Sequence, residues 1–214
     1  MAYGFENQTC AQFTEALSST ASVPGGGGAA AMVGAIAVSL GNMVGNLTLG
    51  KAQYAAVEPE VKAALEQGEK LRLHLLELVE ADAAAFAPMS AVFKMPKNTA
   101  EEKFARKLAM NEAMKNAVKP QMDLMDTCLD VLRLMAFYVE KGSRIMVSDA
   151  AVGAALCRGV MESGYINVVV NTSAIDDLAY TGDTEKRAEE MLDAGKRIAD
   201  LIVGRSLEMM RSQW

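Results

Sequence analysis

The stretch Val23-Pro24-Gly25-Gly26-Gly27-Gly28-Ala29-Ala30-Ala31 decides how this chain is read. Four consecutive glycines free the backbone to take unusual angles and carry no side chains that would keep a ligand away. An alanine-rich apolar helix is expected directly behind them. Its first turn would offer amides without internal partners and the positive end of the helix dipole. Such a glycine loop suits an anion or a flat polar ring, and it suits a linker or a close-packing turn as well. It matches neither the phosphate loop ending in Gly-Lys-Ser/Thr nor the G-x-G-x-x-G of dinucleotide folds.

Outward from the glycines, Gly27 to Leu49 is nearly uncharged and long enough to cross a bilayer. Ala37, Gly41 and Gly45 recur every four residues and make one helix face almost flat. In a membrane that face would be a small-xxx-small contact; in water it marks a central helix buried on all sides, or a tight subunit contact. No other segment could span, and the rest of the chain is charged and amphipathic. The expectation is therefore a buried glycine-rich helix and no membrane partner.

The 214 residues suffice for one domain with a sizeable core, here residues 1–214 taken together. Hydrophobic residues make up 51% and aromatics only 6%, so the core is built from Ala, Leu, Met and Val. A net charge of −6 argues against a nucleic-acid partner. Cys10, Cys128 and Cys157 are far apart, and with one histidine they give no zinc pattern. No charged leader with an apolar stretch and cleavage site is seen, so a reducing cytoplasm is expected.

The remaining pattern is helical throughout. An amphipathic helix is expected over about 6–20. Glu58-Pro59 opens a long third helix that Met95-Pro96-Lys97-Asn98 ends. Thr99 and Glu102 form a capping box for a fourth, running towards Tyr138 and kinked or broken near Pro120. Ser148 or Asp149 is expected to cap a fifth helix reaching about Ser173, and Asp183 or Thr184 a sixth. Only Asn167-Val168-Val169-Val170 is β-prone. The fold class is all-α, a single-domain bundle of long helices around the glycine-rich one.

Asp82 is the sharpest candidate for chemistry. It falls on the apolar stripe Leu71, Leu75, Leu78, Asp82, Phe86 of the third helix, where a carboxylate must find a partner or shift its pKa upward. A buried carboxylate bonded to a neighbouring helix would produce the same pattern; a carboxylate of this kind also marks active sites. Asn42 with Asn46, and Asn167 with Asn171, are spaced four apart in apolar surroundings. Amides so placed suit recognition of a heterocycle, and inter-helix hydrogen bonding equally. Lys51 reads as a favourable partner for a helix C-terminus. Lys94, Lys97, Lys103, Arg106 and Lys107 cluster either as a solvated face or as a seat for an acidic ligand tail. His74 has no nucleophile or metal pattern around it and reads as structural or surface.

Six motifs in order resemble the C-terminal family of formiminotransferase-cyclodeaminases: Val23 to Ala31, Met43-Val44-Gly45-Asn46-Leu47-Thr48-Leu49-Gly50-Lys51, Asp82-Ala83-Ala84-Ala85-Phe86, Met95-Pro96-Lys97, Ser148-Asp149 and Asn167-Val168-Val169-Val170-Asn171. The resemblance extends over nearly the whole chain and looks closest to stand-alone bacterial cyclohydrolases. It implies an all-α fold, a homodimer and a folate site without metal; a polyglutamate tail on the folate and the lack of any further cofactor are added expectations. The implied activity is hydrolysis of 5,10-methenyltetrahydrofolate to 10-formyltetrahydrofolate, with formimidoyltetrahydrofolate cyclodeamination as the alternative. The absence of a formiminotransferase domain favours the first. By this resemblance Asp82 is the proton donor, and Gly25, Gly26, Gly27, Gly28, Asn46 and Lys51 line the pterin end. Lys51 is also expected to be catalytic, its role and that of Asp82 being interchangeable on sequence alone, and Phe86, Lys97, Asn167 and Asn171 are further substrate-binding candidates. Many relatives have serine where this chain has Gly28, so a hydroxyl contact there is lost. A reading of another class remains: a non-enzymatic helical interaction protein, with the glycine face as a dimer seam and Asp82 as buried glue.

Overall fold

The computed structural model describes residues 3–212, leaving residues 1–2 and 213–214 of the expected 1–214 domain outside the described part. Six α-helices follow one another: α1 Cys10–Leu17, α2 Gly26–Asn46, α3 Glu58–Phe93, α4 Ala100–Lys141, α5 Val147–Thr172 and α6 Leu178–Arg211. Short 3-10 turns lie at Phe5–Asn7, Ala52–Val57 and Arg144–Met146, and none of the described residues forms a strand. The β-prone Asn167–Val170 run is the last part of α5.

Several boundaries differ from the sequence expectation. Three of the four glycines are not a loop. They are the first turn of α2, with extended Gly25 as N-cap and Ala29 N–H donating to Gly25 O at 2.9 Å. α1 is shorter than expected, opened at Thr9 by a capping box with Gln12. The Thr99/Glu102 capping box is present as read. α4 runs unbroken through Pro120, because Val118, Gln121 and Leu124 around it are all buried and that packing outweighs one missing backbone hydrogen bond. α5 starts at Val147 without a side-chain cap, and α6 starts several residues early, capped by Asp177.

α2 packs against α3 on one side, α5 on the other and α4 behind. It is long and apolar enough to cross a bilayer, yet its small face lies in the bundle centre. A methyl group at Gly41 would meet Met135 at 2.8 Å and Tyr138 at 3.2 Å, and one at Gly45 would meet the Tyr138 hydroxyl at 2.8 Å. These glycines admit the largest side chains of α4 to the helix axis. The Tyr138 hydroxyl is buried without a hydrogen-bond partner, and burial pushes its pKa up. The opposite face of α2 is open and apolar: Ile36 is 49% exposed, Met43 37% and Leu47 42%.

Because consecutive long helices reverse direction through short connections, each end of α2 meets residues distant in sequence. Its first turn meets the middle of α3 and α4 and the last turns of α5. Its last turn meets the α4–α5 connection.

Candidate active site

At the first turn of α2, Asp82 of α3 is half-buried and held from two sides. Gly28 N–H donates to Oδ2 at 2.9 Å, and the Gln121 side-chain Nε2 of α4 donates to Oδ1 at 2.6 Å. The Asp82 carboxylate thus satisfies one orphan amide, that of Gly28, of a helix that is not its own. Burial pushes its pKa above the ordinary aspartate value, and the bonds from Gly28 and Gln121 oppose that rise in part. The stripe that placed Asp82 among apolar residues holds, with Leu75 and Leu78 buried above it.

Gly27 is the position of the run that must be glycine. An added Cβ there would overlap Asp82 Oδ1 and Gln121 Nε2, so the carboxylate–amide pair rests directly on the Gly27 backbone. At Gly26 a Cβ would find only the Asn167 side chain, at 3.6 Å, and at Gly25 nothing within 4 Å. These two glycines leave space open rather than admit a neighbour. A cavity of about 240 Å³ lies there, lined by Gly25, Gly26 and Gly27, by Asp82, Phe86 and Met89 of α3, by Gln121 of α4, and by Asn167, Val170 and Asn171 of α5. Its character is an apolar wall, a backbone floor and a few convergent amides, which suits a flat heterocycle.

The two α5 asparagines are engaged differently. Asn171 donates to Ala117 O of α4 at 3.1 Å, the inter-helix role, whereas Asn167 donates only to Ser163 O of its own helix, at 2.8 Å. Asn167 therefore keeps its carbonyl oxygen towards Gly26. Gln121 was not singled out from sequence. The signal was present: Met114, Val118, Gln121, Met125 and Cys128 form one apolar stripe on α4, and Gln121 interrupts it as Asp82 interrupts that of α3.

Lys51 and Asn46 do not join this group within one chain. Asn46 ends α2 and Lys51 follows it at the far end, and a 21-residue helix separates the two ends by about 30 Å. There Gly50 takes a positive φ of 72°, turning the chain so that Lys51 Nζ donates to Ser143 Oγ at 3.2 Å. Thr48 accepts from Ser143 N–H at 2.8 Å, and Tyr54 accepts from Arg144 N–H at 3.0 Å. Burial pushes the Tyr54 phenol up, but bonds from Arg144, Gln53 and Ser143 and the Lys51 charge outweigh it, and its pKa is lowered. Asn46 is exposed and donates to Asn42 O; the Asn42 Oδ1 is buried without a partner beside Gly68.

Lys97 lines a second hollow of about 370 Å³ with Lys103, Arg106, Lys107 and Asn111. Asp176 is in it too, paired with Lys107 at 3.2 Å. Asn111 precedes the cavity-lining Ala117 by about 9 Å along α4. His74 bonds Asp123 of α4 at 3.0 Å near the surface, in keeping with a structural role.

A carboxylate of raised pKa, seated on a helix start inside a cavity between four helices, gives this all-α protein a candidate acid–base site. The chain belongs to the formiminotransferase-cyclodeaminase family, whose model matches residues 9–190. It is 38% identical to the methenyltetrahydrofolate cyclohydrolase of Methylorubrum extorquens, over 87% of this chain and 89% of that one. It is 30% identical to rat formimidoyltransferase-cyclodeaminase over 92% of this chain, which spans only 36% of that longer protein. The crystal structure of formiminotetrahydrofolate cyclodeaminase from Thermotoga maritima is similar in fold, with a TM-score of 0.79 and 28% identity, covering 98% of this chain and 99% of that one.

Proposed function

We propose that this protein is a 5,10-methenyltetrahydrofolate cyclohydrolase. The observation that carries the reading is Asp82, a carboxyl group of raised pKa resting on Gly27 in a cavity shaped for a flat ring. The likeness to a cyclohydrolase over nearly its full length supports it. The substrate's methenyl bridge is an amidinium cation. Asp82, as carboxylate, pairs with that cation and accepts a proton from the attacking water as the carbon–oxygen bond forms. Once protonated, it returns the proton to the ring nitrogen as the carbon–nitrogen bond breaks. The hydroxyl proton leaves to solvent, so each turnover releases one proton and a neutral formyl product. A pKa raised towards neutrality serves both halves of this exchange.

The site is completed in a homodimer. Lys51 and Asp82 lie at opposite ends of α2, and the open face of that helix is apolar. A second copy laid antiparallel across Ile36, Leu40 and Met43 brings the partner's Lys51 to this Asp82, where its charge holds the oxygen that becomes the formyl group. The basic hollow around Lys97 and Lys103 receives the glutamate tail of the folate. No nucleic acid, membrane, metal or organic cofactor takes part, and the protein works in the cytoplasm.

The loss of methenyltetrahydrofolate absorbance, followed without added metal or nucleotide, tests the activity. Reaction with formimidoyltetrahydrofolate and ammonia release alone would replace it by the cyclodeaminase reading, which the rat and Thermotoga relatives keep open. Mixing inactive Asp82→Asn and Lys51→Ala chains tests the shared site. Random exchange in a symmetric dimer should restore about a quarter of native activity, whereas sites confined to one chain would restore none.

A further inference from the structure

Gln121 has no part in the reaction above, yet it is the most buried polar side chain lining the cavity, at 2% exposure. One end of its amide donates to Asp82 Oδ1 at 2.6 Å. The other end, Oε1, is buried without a hydrogen-bond partner. A buried acceptor left unpaired is costly and rare. Oε1 gains a donor only when the amide turns to face a protonated Asp82, its NH2 end then lying where Oε1 lay. An amide is a donor at one end and an acceptor at the other, in nearly the same volume, so rotation about its last torsion exchanges the two. Asp82 undergoes the matching change: as a carboxylate it only accepts, and as a carboxylic acid it also donates.

We propose that Gln121 is a positioning residue that follows the proton on Asp82: its amide donates to the carboxylate and turns end for end to accept from the carboxylic acid. When Asp82 Oδ1 takes the proton, the Nε2–H···Oδ1 bond is exchanged for an Oδ1–H···Oε1 bond; when the proton leaves, the exchange reverses. No electrons or further groups move. Asp82 thereby keeps one position, against Gly27, in both protonation states. The ionisable groups that flank Asp82, Gln121 and the cavity end of α5 in sequence are engaged elsewhere. α2 carries none. On α3, Glu80 accepts from the backbone of Tyr3 and Phe5. On α4, Lys119 bonds Asn116 and Asp123 bonds His74. On α5, Glu162 pairs with Arg158 and Lys196. Gln121 is thus the one side chain in hydrogen-bond contact with the Asp82 carboxyl group among the described residues.

The inference rests on Asp82 as proton carrier, so its test is made first without substrate. In the full chain with carbon-13-labelled aspartate carboxyls, the Asp82 titration midpoint is compared between native protein and Gln121→Leu. The bond to the charged carboxylate is the stronger of the two, so loss of Gln121 should raise the midpoint, by about one pH unit. The Gln121 side-chain amide signals of the native protein should move with the Asp82 midpoint and stay still in Asp82→Asn. Amide signals indifferent to the Asp82 titration would overturn the proposal, and they can be read even if Gln121→Leu fails to fold. An unmoved midpoint in a folded Gln121→Leu would overturn it as well. In turnover, Gln121→Leu should lose kcat at least tenfold with KM little changed, and the acid limb of its pH profile should shift towards alkaline pH. A shifted midpoint with native kcat would support the Gln121–Asp82 coupling and reject instead the catalytic role of Asp82.

Discussion

Gly27 and Gly41 lie on the same helix, four turns apart, and are glycine for different reasons. At Gly27 the missing side chain admits a polar pair, Asp82 with Gln121, whose hydrogen bond lies against the backbone. At Gly41 it admits Met135 and Tyr138, apolar volume that fills the bundle centre. One close approach sets up chemistry and the other sets up stability. What distinguishes them is the partner's ability to carry a proton. A glycine count on α2 would rank the two alike.

The comparison can be broken or sharpened in four ways. Asp82→Asn should have the largest effect, a turnover loss of roughly 100-fold or more, because an amide cannot carry the proton. The same protein should melt no lower than the native one at neutral pH. Burial raises the folded pKa of Asp82 above the ordinary 3.8, so the stability it contributes is present below that value and is lost as pH rises through the folded pKa. Asparagine escapes this loss, and its NH2 can donate to Gln121 Oε1 once that amide has turned its oxygen towards position 82. Near-native turnover in a stable Asp82→Asn would remove the assignment.

Gly27→Ala comes second. Its methyl group displaces the Asp82–Gln121 pair, and turnover should fall roughly tenfold or more. Melting should change little, since alanine in a helix gains about 1 kcal/mol over glycine against the crowding. Gly41→Leu should behave the other way. It overpacks Met135 and Tyr138 at a cost of about 1–3 kcal/mol or more, seen as a lower Tm, while the folded fraction keeps its kcat. If both variants lost activity and stability in the same proportion, the two glycines would not differ as described. The smallest effect belongs to His74. The Asp123 hydrogen bond first, and the Glu77 charge after it, hold its pKa above 6.5. The contribution is present below pH 6.5 and is lost as pH rises through the folded value. His74→Gln should cost less than about 1 kcal/mol in acid and nothing in alkali, measured by denaturant melts at the two pH values.

Much of this was legible in the sequence. The all-α class followed from periodicity and core composition, and the six motifs in register pointed to the family. Asp82 was marked by its place on an apolar stripe. Other features were hidden for physical reasons. The glycine run read as a loop because glycine disfavours helix interiors. Here Gly26, Gly27 and Gly28 become the first turn of α2 because the Asp82 carboxylate from α3 satisfies the Gly28 amide. Pro120 read as a break because propensity takes no account of packing on both of its sides. The motifs place Lys51 beside Asp82 because a motif has no length, whereas α2, 21 residues long, does. Gln121 was overlooked because a neutral amide on an apolar stripe attracts less notice than a charge.

That length has a further consequence for how the family's sequences can change. α2 acts as a spacer of fixed register. Inserting one residue within it would rotate everything beyond by about 100° and advance it by about 1.5 Å. Gly41 and Gly45 would turn away from Met135 and Tyr138, and the Lys51 end would be re-aimed relative to Gly27. Insertions and deletions should therefore be excluded between Gly28 and Asn46, and from Thr48 to Tyr54 where the chain is tied to Ser143 and Arg144, and tolerated only in the rest of the connection, up to Val57.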